Sequence, residues 1–163
     1  ETKTMIRCKP KGICSWDFHL EGDGHHATLE FNWVSEQGDI TADGIRFAVR
    51  KHGMFNGRWT LDGAGSETAS AQKSNAFTQT FEIQDHNDNH VLRAESAFGR
   101  SFRIERSGDV IATVYPVHAF TRRATIEVRG QKWDFSIICF AFWLVVLTWR
   151  RAASSGAAAG GGG

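Results

Sequence analysis

The sequence predicts a mainly β domain, a closed antiparallel barrel wrapped around one hydrophobic C-terminal helix. Short runs of alternating apolar and polar residues recur along most of the chain, the pattern of half-buried strands. Between them stand Gly-, Asp- and Asn-rich turns. The 15 residues from Phe135 to Trp149 (FSIICFAFWLVVLTW) are then apolar on every face at helical spacing, with no charge, Gly or Pro. A total of 163 residues suits one domain.

In chain order, Trp16, Phe18 and Leu20 alternate first, followed by Ala27, Leu29, Phe31 and Trp33. Ile45, Phe47 and Val49 form the next run, then Trp59 and Leu61. Phe77, Phe81 and Ile83 follow, with Val91, Ala94 and Phe98 less regularly spaced. Phe102 and Ile104 alternate with arginines; Val110, Ala112 and Val114 form another run, and Ala124, Ile126 and Val128 close the series, with Trp133 and Phe135 beyond Gly130. Turns able to supply positive φ are expected at Glu21–Gly24, Ala42–Gly44, Phe55–Gly57, Asp62-Gly63, Asp88-Asn89 and Ser107–Asp109. Pro10 and Pro116 lie at the ends of apolar stretches, where a missing amide does no harm. Residues 63–74 (GAGSETASAQKS) are small and polar and predict a long exposed loop. The runs give about ten to twelve strands.

A helix apolar all round must be enclosed by protein or by lipid. The stretch 135–149 would be roughly 22 Å long, whereas a bilayer span needs about 20 apolar residues. Length therefore favours the interior of a barrel, since a can of about eleven strands has room for one central helix. A single-pass anchor through 135–149 is the alternative. Arg150 and Arg151 follow where positive charge suits the helix macrodipole. The domain is accordingly set at 1–151, with its central helix at about 135–150, and residues 152–163 are expected to be a disordered Ala/Gly tail or tether.

With 41% hydrophobic and 23% charged residues and a net charge of +1, the chain is an ordinary folded domain without the concentrated basic face of a nucleic-acid binder. Cys8, Cys14 and Cys139 have no zinc spacing. Reduced thiols are the expectation, with a Cys8–Cys14 pair left open. The opening ETKTMIRCKPKG has no apolar run of signal-peptide length. An intracellular location, cytoplasmic or peripheral to a membrane, is expected, and a monomer.

Several stretches resemble the LURP-one-related/tubby C-terminal-like superfamily, which includes the phospholipid scramblases. Ser15–Gly24 is similar to its early strand and turn, Ala42–Lys51 to a turn followed by a basic strand, and Arg58–Leu61 to the next strand. Phe102–Ala112 resembles its repeat F-x-I-x-R-x-G-x-x-I-A, and Trp133-Asp134-Phe135, running into the apolar stretch, its last strand and core helix. The resemblance covers nearly the whole chain through Arg151. It implies twelve strands around the helix and contact with phospholipid or phosphoinositide. The acidic calcium segment of scramblases has no counterpart, because Asp134 stands alone beside Lys132 and calcium wants six or more oxygen ligands. No motif permits a residue-by-residue transfer of the tubby phosphoinositide groove.

Arg50, Lys51 and Arg58 flank a Phe-Asn-Gly turn, and Arg122 and Arg123 form a second basic pair. Gathered at one rim, these five could hold a lipid phosphate, with Met54 and Phe55 dipping into the interface; a solvated hairpin with scattered charge is the plainer reading. The cluster Asp85–His90 carries ligand-type side chains but falls at a hairpin turn, as do His25 and His26, so turn chemistry is expected and no metal or cofactor. There is no G-x-S-x-G, HExxH or Walker sequence, and a filled barrel lacks the usual substrate cavity. A non-enzymatic module is expected, its partner an anionic phospholipid or a protein, with a ligand-free structural barrel as a further alternative.

Overall fold

The computed structural model describes residues 1–54, 57–75, 77–96 and 99–160. The turn expected at Phe55-Asn56 and the inward position expected for Phe98 lie outside them. Twelve antiparallel strands close into a barrel in simple sequential order. They are β1 (Lys3–Pro10), β2 (Phe18–Gly22), β3 (His25–Asn32), β4 (Gln37–Ala42), β5 (Ile45–His52), β6 (Arg58–Gly63), β7 (Ser66–Lys73), β8 (Thr80–Asp85), β9 (Asn89–Ala94), β10 (Phe102–Arg106), β11 (Asp109–Pro116) and β12 (Ala124–Arg129). Closure is made by β1 lying between β12 and β2, with Ile6 opposite Ile126 and Cys8 opposite Leu20. The helix α1 (Phe135–Gly160) runs through the middle.

Inward side chains fill one continuous core. Phe18, Leu29, Ile40, Leu61, Phe81, Leu92, Ile104 and Ile126 are fully buried from the wall, and Phe140, Phe142, Trp143 and Leu144 from the helix. Nearly every residue from Phe135 to Trp149 is buried, as an all-round apolar helix requires. Protein encloses this helix, so the helix and the inward faces of the strands solve each other's burial problem. The outer wall is charged. Cross-strand ion pairs such as Arg46–Asp39 (3.1 Å), Arg93–Glu105 (3.3 Å) and Lys3–Glu127 (3.2 Å) stud it, whereas a membrane-spanning barrel would face outward with an apolar band.

Several expectations change. Residues 63–74 are no long loop: the turn is Ala64-Gly65, and β7 follows. Its inward residues are Ala69 and Ala71, too small to raise an apolar signal. Ala71 lies opposite Trp59 on one side and Ile83 on the other, so a small side chain accommodates a large neighbour. Strands β1 and β4 were likewise unmarked among the alternating runs. Phe77 stands outside the barrel, on the loop before β8. In β9 the inward set is His90, Leu92 and Ala94 rather than Val91, with His90 the one buried imidazole among the described residues. A bulge where Glu105 faces Val110 and Ile104 faces Ala112 tucks the extra residue, Ile111, against the core. The helix continues through Gly160, past the expected end near residue 150, on alanines with the highest helix propensity.

Candidate functional site at the loop end of the barrel

Because the strands alternate in direction, the barrel has two unlike ends. At the turn end, β2–β3, β4–β5, β6–β7 and β10–β11 are joined by two-residue turns, and β12 feeds the helix. In each of those turns both residues have positive φ: Asp23-Gly24, Asp43-Gly44, Ala64-Gly65 and Ser107-Gly108. That is the hairpin geometry matching strand twist. At the opposite, loop end the connections are four to seven residues long, and the helix emerges among them.

The sequence-derived candidates all lie at or near this loop end, on two opposite sides of the ring. On the β5–β6 side each cation has an acid. Arg50 meets Asp62 at 3.2 Å and Arg58 meets Glu67 at 2.9 Å, both across adjacent strands. Lys51 reaches Glu36 on the β3–β4 loop at 2.5 Å. Glu36 also receives the fork of Arg151, at 2.6 and 2.7 Å. Hydrogen bonding to Arg151 is the main cause that lowers its pKa to about 2, with Lys51 adding to it against the opposing effect of burial. Trp59 lies beneath both cations and donates its indole N–H to the Glu36 carbonyl at 3.2 Å. This cluster ties the emerging helix to the wall, and the three sequence candidates on this side are neutralised.

On the β11–β12 side the arrangement differs. Arg122 donates to the carbonyls of Ser15 and Gly12 on the β1–β2 loop and lies over Trp16, 5.3 Å from the ring centre. Arg100, on the β9–β10 loop, donates to the carbonyls of Ala119 (3.2 Å) and Thr121 (2.6 Å) and lies 4.8 Å over Trp149. Trp149 in turn donates to the Arg100 carbonyl at 3.0 Å. Carbonyls fix these guanidiniums without cancelling their charge. Burial lowers the Arg100 pKa; an arginine nevertheless remains protonated. Arg123 is exposed and has no ion pair among the described residues. A cavity of about 600 Å³ opens here, lined by Trp16, Phe120 and Trp149, by Ala152 and Ala153 of the helix, and by Arg100 and Arg122.

Around the same end stand apolar side chains with no packing role. Eight large hydrophobic residues are exposed among the described residues. Six belong to loop-end connections, Ile13, Val34, Met54, Phe77, Val117 and Phe120, and four of these are more than nine-tenths exposed. Sequence reasoning identified the basic pairs and Met54. It missed Arg100, whose neighbours along the chain give no cue, and it assigned Phe77 to a strand. Isolated aromatics in otherwise polar loops were the available signal.

The histidine- and aspartate-bearing segments at the turn end serve turns and packing. Asp85 Oδ1 accepts from the amides of Asn87 and Asp88, both at 2.7 Å. His25 meets Asp43 at 2.6 Å and lies against Phe135, where the helix begins. No group of three or more His, Cys, Asp or Glu close enough to share a metal occurs among the described residues. Cys8 is buried and Cys14 exposed, and all three thiols are free; burial pushes Cys8 and Cys139 well above the ordinary thiol range.

Comparison with known proteins yields no matching family model, curated protein or solved structure.

Proposed function

We propose that this barrel is a non-enzymatic module that docks by its loop end onto an anionic phospholipid surface. The observation that carries the reading is the placement of Ile13, Val34, Met54, Phe77, Val117 and Phe120 on one end of the barrel, beside Arg122, Arg123 and Arg150, which have no ion pair among the described residues. Apolar side chains in that setting gain by entering the headgroup region. Each cation near an anionic surface adds about 1 kcal/mol, and the gain is screened by salt. The apolar tips and the cations thus share one end of the barrel, and in this docking the ion-paired wall stays in water. The resemblance of the sequence to the tubby C-terminal-like superfamily points the same way.

The test is flotation with vesicles of phosphatidylcholine alone and of phosphatidylcholine mixed with phosphatidylserine, at low and high salt. Binding is expected to the mixed vesicles and to weaken with salt. Phe120→Asp is expected to lower affinity roughly tenfold, since burial of a phenylalanine contributes about 1.5–3 kcal/mol. Ile45→Asp, at the turn end, is expected to leave it unchanged. Absence of binding to the mixed vesicles, or equal effects of the two substitutions, sinks the reading and leaves a protein-binding or structural barrel.

A further inference from the structure

The loop-end cavity differs from the surface around it. Its volume of about 600 Å³ lies within the roughly 300–1,000 Å³ of small-molecule sites. Its lining contains two guanidiniums, Arg100 and Arg122, and no carboxylate. The contrast with Glu36 is instructive: there Lys51 and Arg151 have their counter-ion, whereas Arg100 and Arg122 are held by four backbone carbonyls and retain their full charge. Each arginine has five N–H donors, and the bonds to those carbonyls occupy two of them on each. Gln79 lines the same cavity, and its Oε1 is buried without a hydrogen-bond partner among the described residues. The remaining walls include Trp16, Trp149, Phe120 and the methyl groups of Ala152 and Ala153, with Thr121 and Thr148 beside them.

We infer that this cavity holds one single-chain amphiphile with an anionic head, the head between Arg100 and Arg122 and the tail along Trp16, Trp149 and the helix face at Ala152 and Ala153. Uncompensated positive charge selects an anion, and an aromatic and alanine-lined channel beside it selects hydrocarbon. The inference deepens the lipid-surface reading and relies on it for where the ligand is met. The chemistry of the cavity stands without a bilayer.

The experiment is calorimetric titration of the full chain with dodecanoate below its micellar concentration and with no vesicles present. Saturable binding with one site per chain is expected. Hexanoate, with too short a tail, and dodecyltrimethylammonium, with the opposite charge, should each bind about tenfold more weakly or not at all, one tenfold step being about 1.4 kcal/mol. Ala153→Trp fills the cavity from an exposed helix position and is expected to abolish binding with an unchanged unfolding transition. Arg122→Gln is expected to weaken dodecanoate about tenfold, the scale of one charge-assisted contact. Should Ala153→Trp perturb the fold, Ala152→Leu supplies the same block. Equal affinity for the cationic amphiphile, or undiminished binding by a folded cavity-filled variant, overturns the inference. Vesicle binding without dodecanoate binding overturns it and leaves surface docking intact. Dodecanoate binding without vesicle binding supports it and removes surface docking instead.

Discussion

The turn end and the loop end are made by the same twelve strands, yet they have opposite characters. The turn-end connections contain Asp23, Asp43, Asp88 and Asp134 against Lys132, and their tight geometry leaves little side chain to spare. The loop-end connections and the emerging helix contain Lys11, Arg100, Arg122, Arg123, Arg150 and Arg151 against Asp17, Glu36 and Glu95, together with six exposed apolar residues. The barrel wall needs only that each hairpin reverse the chain, and two residues suffice for that. The longer loops at one end therefore serve something other than closure, in keeping with the general concentration of function on loops over a rigid scaffold.

If this division is right, the wall should be equally intolerant near either end. A Cβ on Gly22, at the turn end, would meet the Met5 carbonyl oxygen at 2.2 Å; one on Gly38, at the loop end, would meet the Glu30 carbonyl oxygen at 2.0 Å. Both contacts are with backbone, so Gly22→Ala and Gly38→Ala should each cost about 3 kcal/mol in urea unfolding, the upper part of the overpacking range. A neutral result at either would show that its strand pair is looser than its partner.

The next effect is specific to the loop end. Glu36→Gln leaves Lys51 and Arg151 without their shared counter-ion and should cost about 2 kcal/mol. The sign with pH follows from the carboxyl's pKa, lowered from 4.5 to about 2 in the folded protein. Its contribution is complete above the unfolded value and is lost as pH falls toward the folded one. The native protein should therefore lose stability between roughly pH 5 and pH 2, and Glu36→Gln should flatten that slope. Equal slopes in the two proteins would mean that Glu36 is not the group that fastens the helix.

A smaller effect is expected at the turn end. Asp43 accepts from the His26 amide at 2.9 Å and meets His25 at 2.6 Å. Those contacts hold its pKa below the ordinary value despite the opposing effect of burial. Asp43→Asn keeps an acceptor and a residue tolerant of positive φ and should cost under about 1 kcal/mol, whereas Asp43→Ala should cost about 1–2 kcal/mol. The smallest change is a gain: Ala64 has φ +53, so Ala64→Gly should stabilise the protein by about 0.5–1 kcal/mol, read as a shift in the urea midpoint.

How legible these features were depended on side-chain size. Strands with large inward residues, such as Phe102 and Ile104 of β10 or Ile126 and Val128 of β12, stood out in the sequence, as did the helix from Phe135. Strand β7 did not, because its inward residues are alanines, and β1 did not, because its inward set Thr4, Ile6 and Cys8 holds only one large apolar residue among charged neighbours. At the candidate site the pairs Arg50-Lys51 and Arg122-Arg123 were visible, but sequence proximity could not show which cations were already paired. Glu36 neutralises Lys51 from the β3–β4 loop and Arg151 from far along the chain. Arg100 becomes a neighbour of Arg122 only because the pairing of β10 with β11 sets its loop beside the β11–β12 loop.

The position of the helix in chain order also governs when the protein can exist. Every strand precedes it, so a ribosome has made the whole wall before it makes the core. Until Phe135–Trp149 appears, the inward faces of twelve strands have nothing to pack on. At about 5–20 residues per second, the nascent chain spends several seconds as an apolar sheet without an interior. Packing of the core is then a late step, and the wall sequence must resist aggregation unaided until that moment. The alternating charges along the outer strands are placed where they would provide that protection.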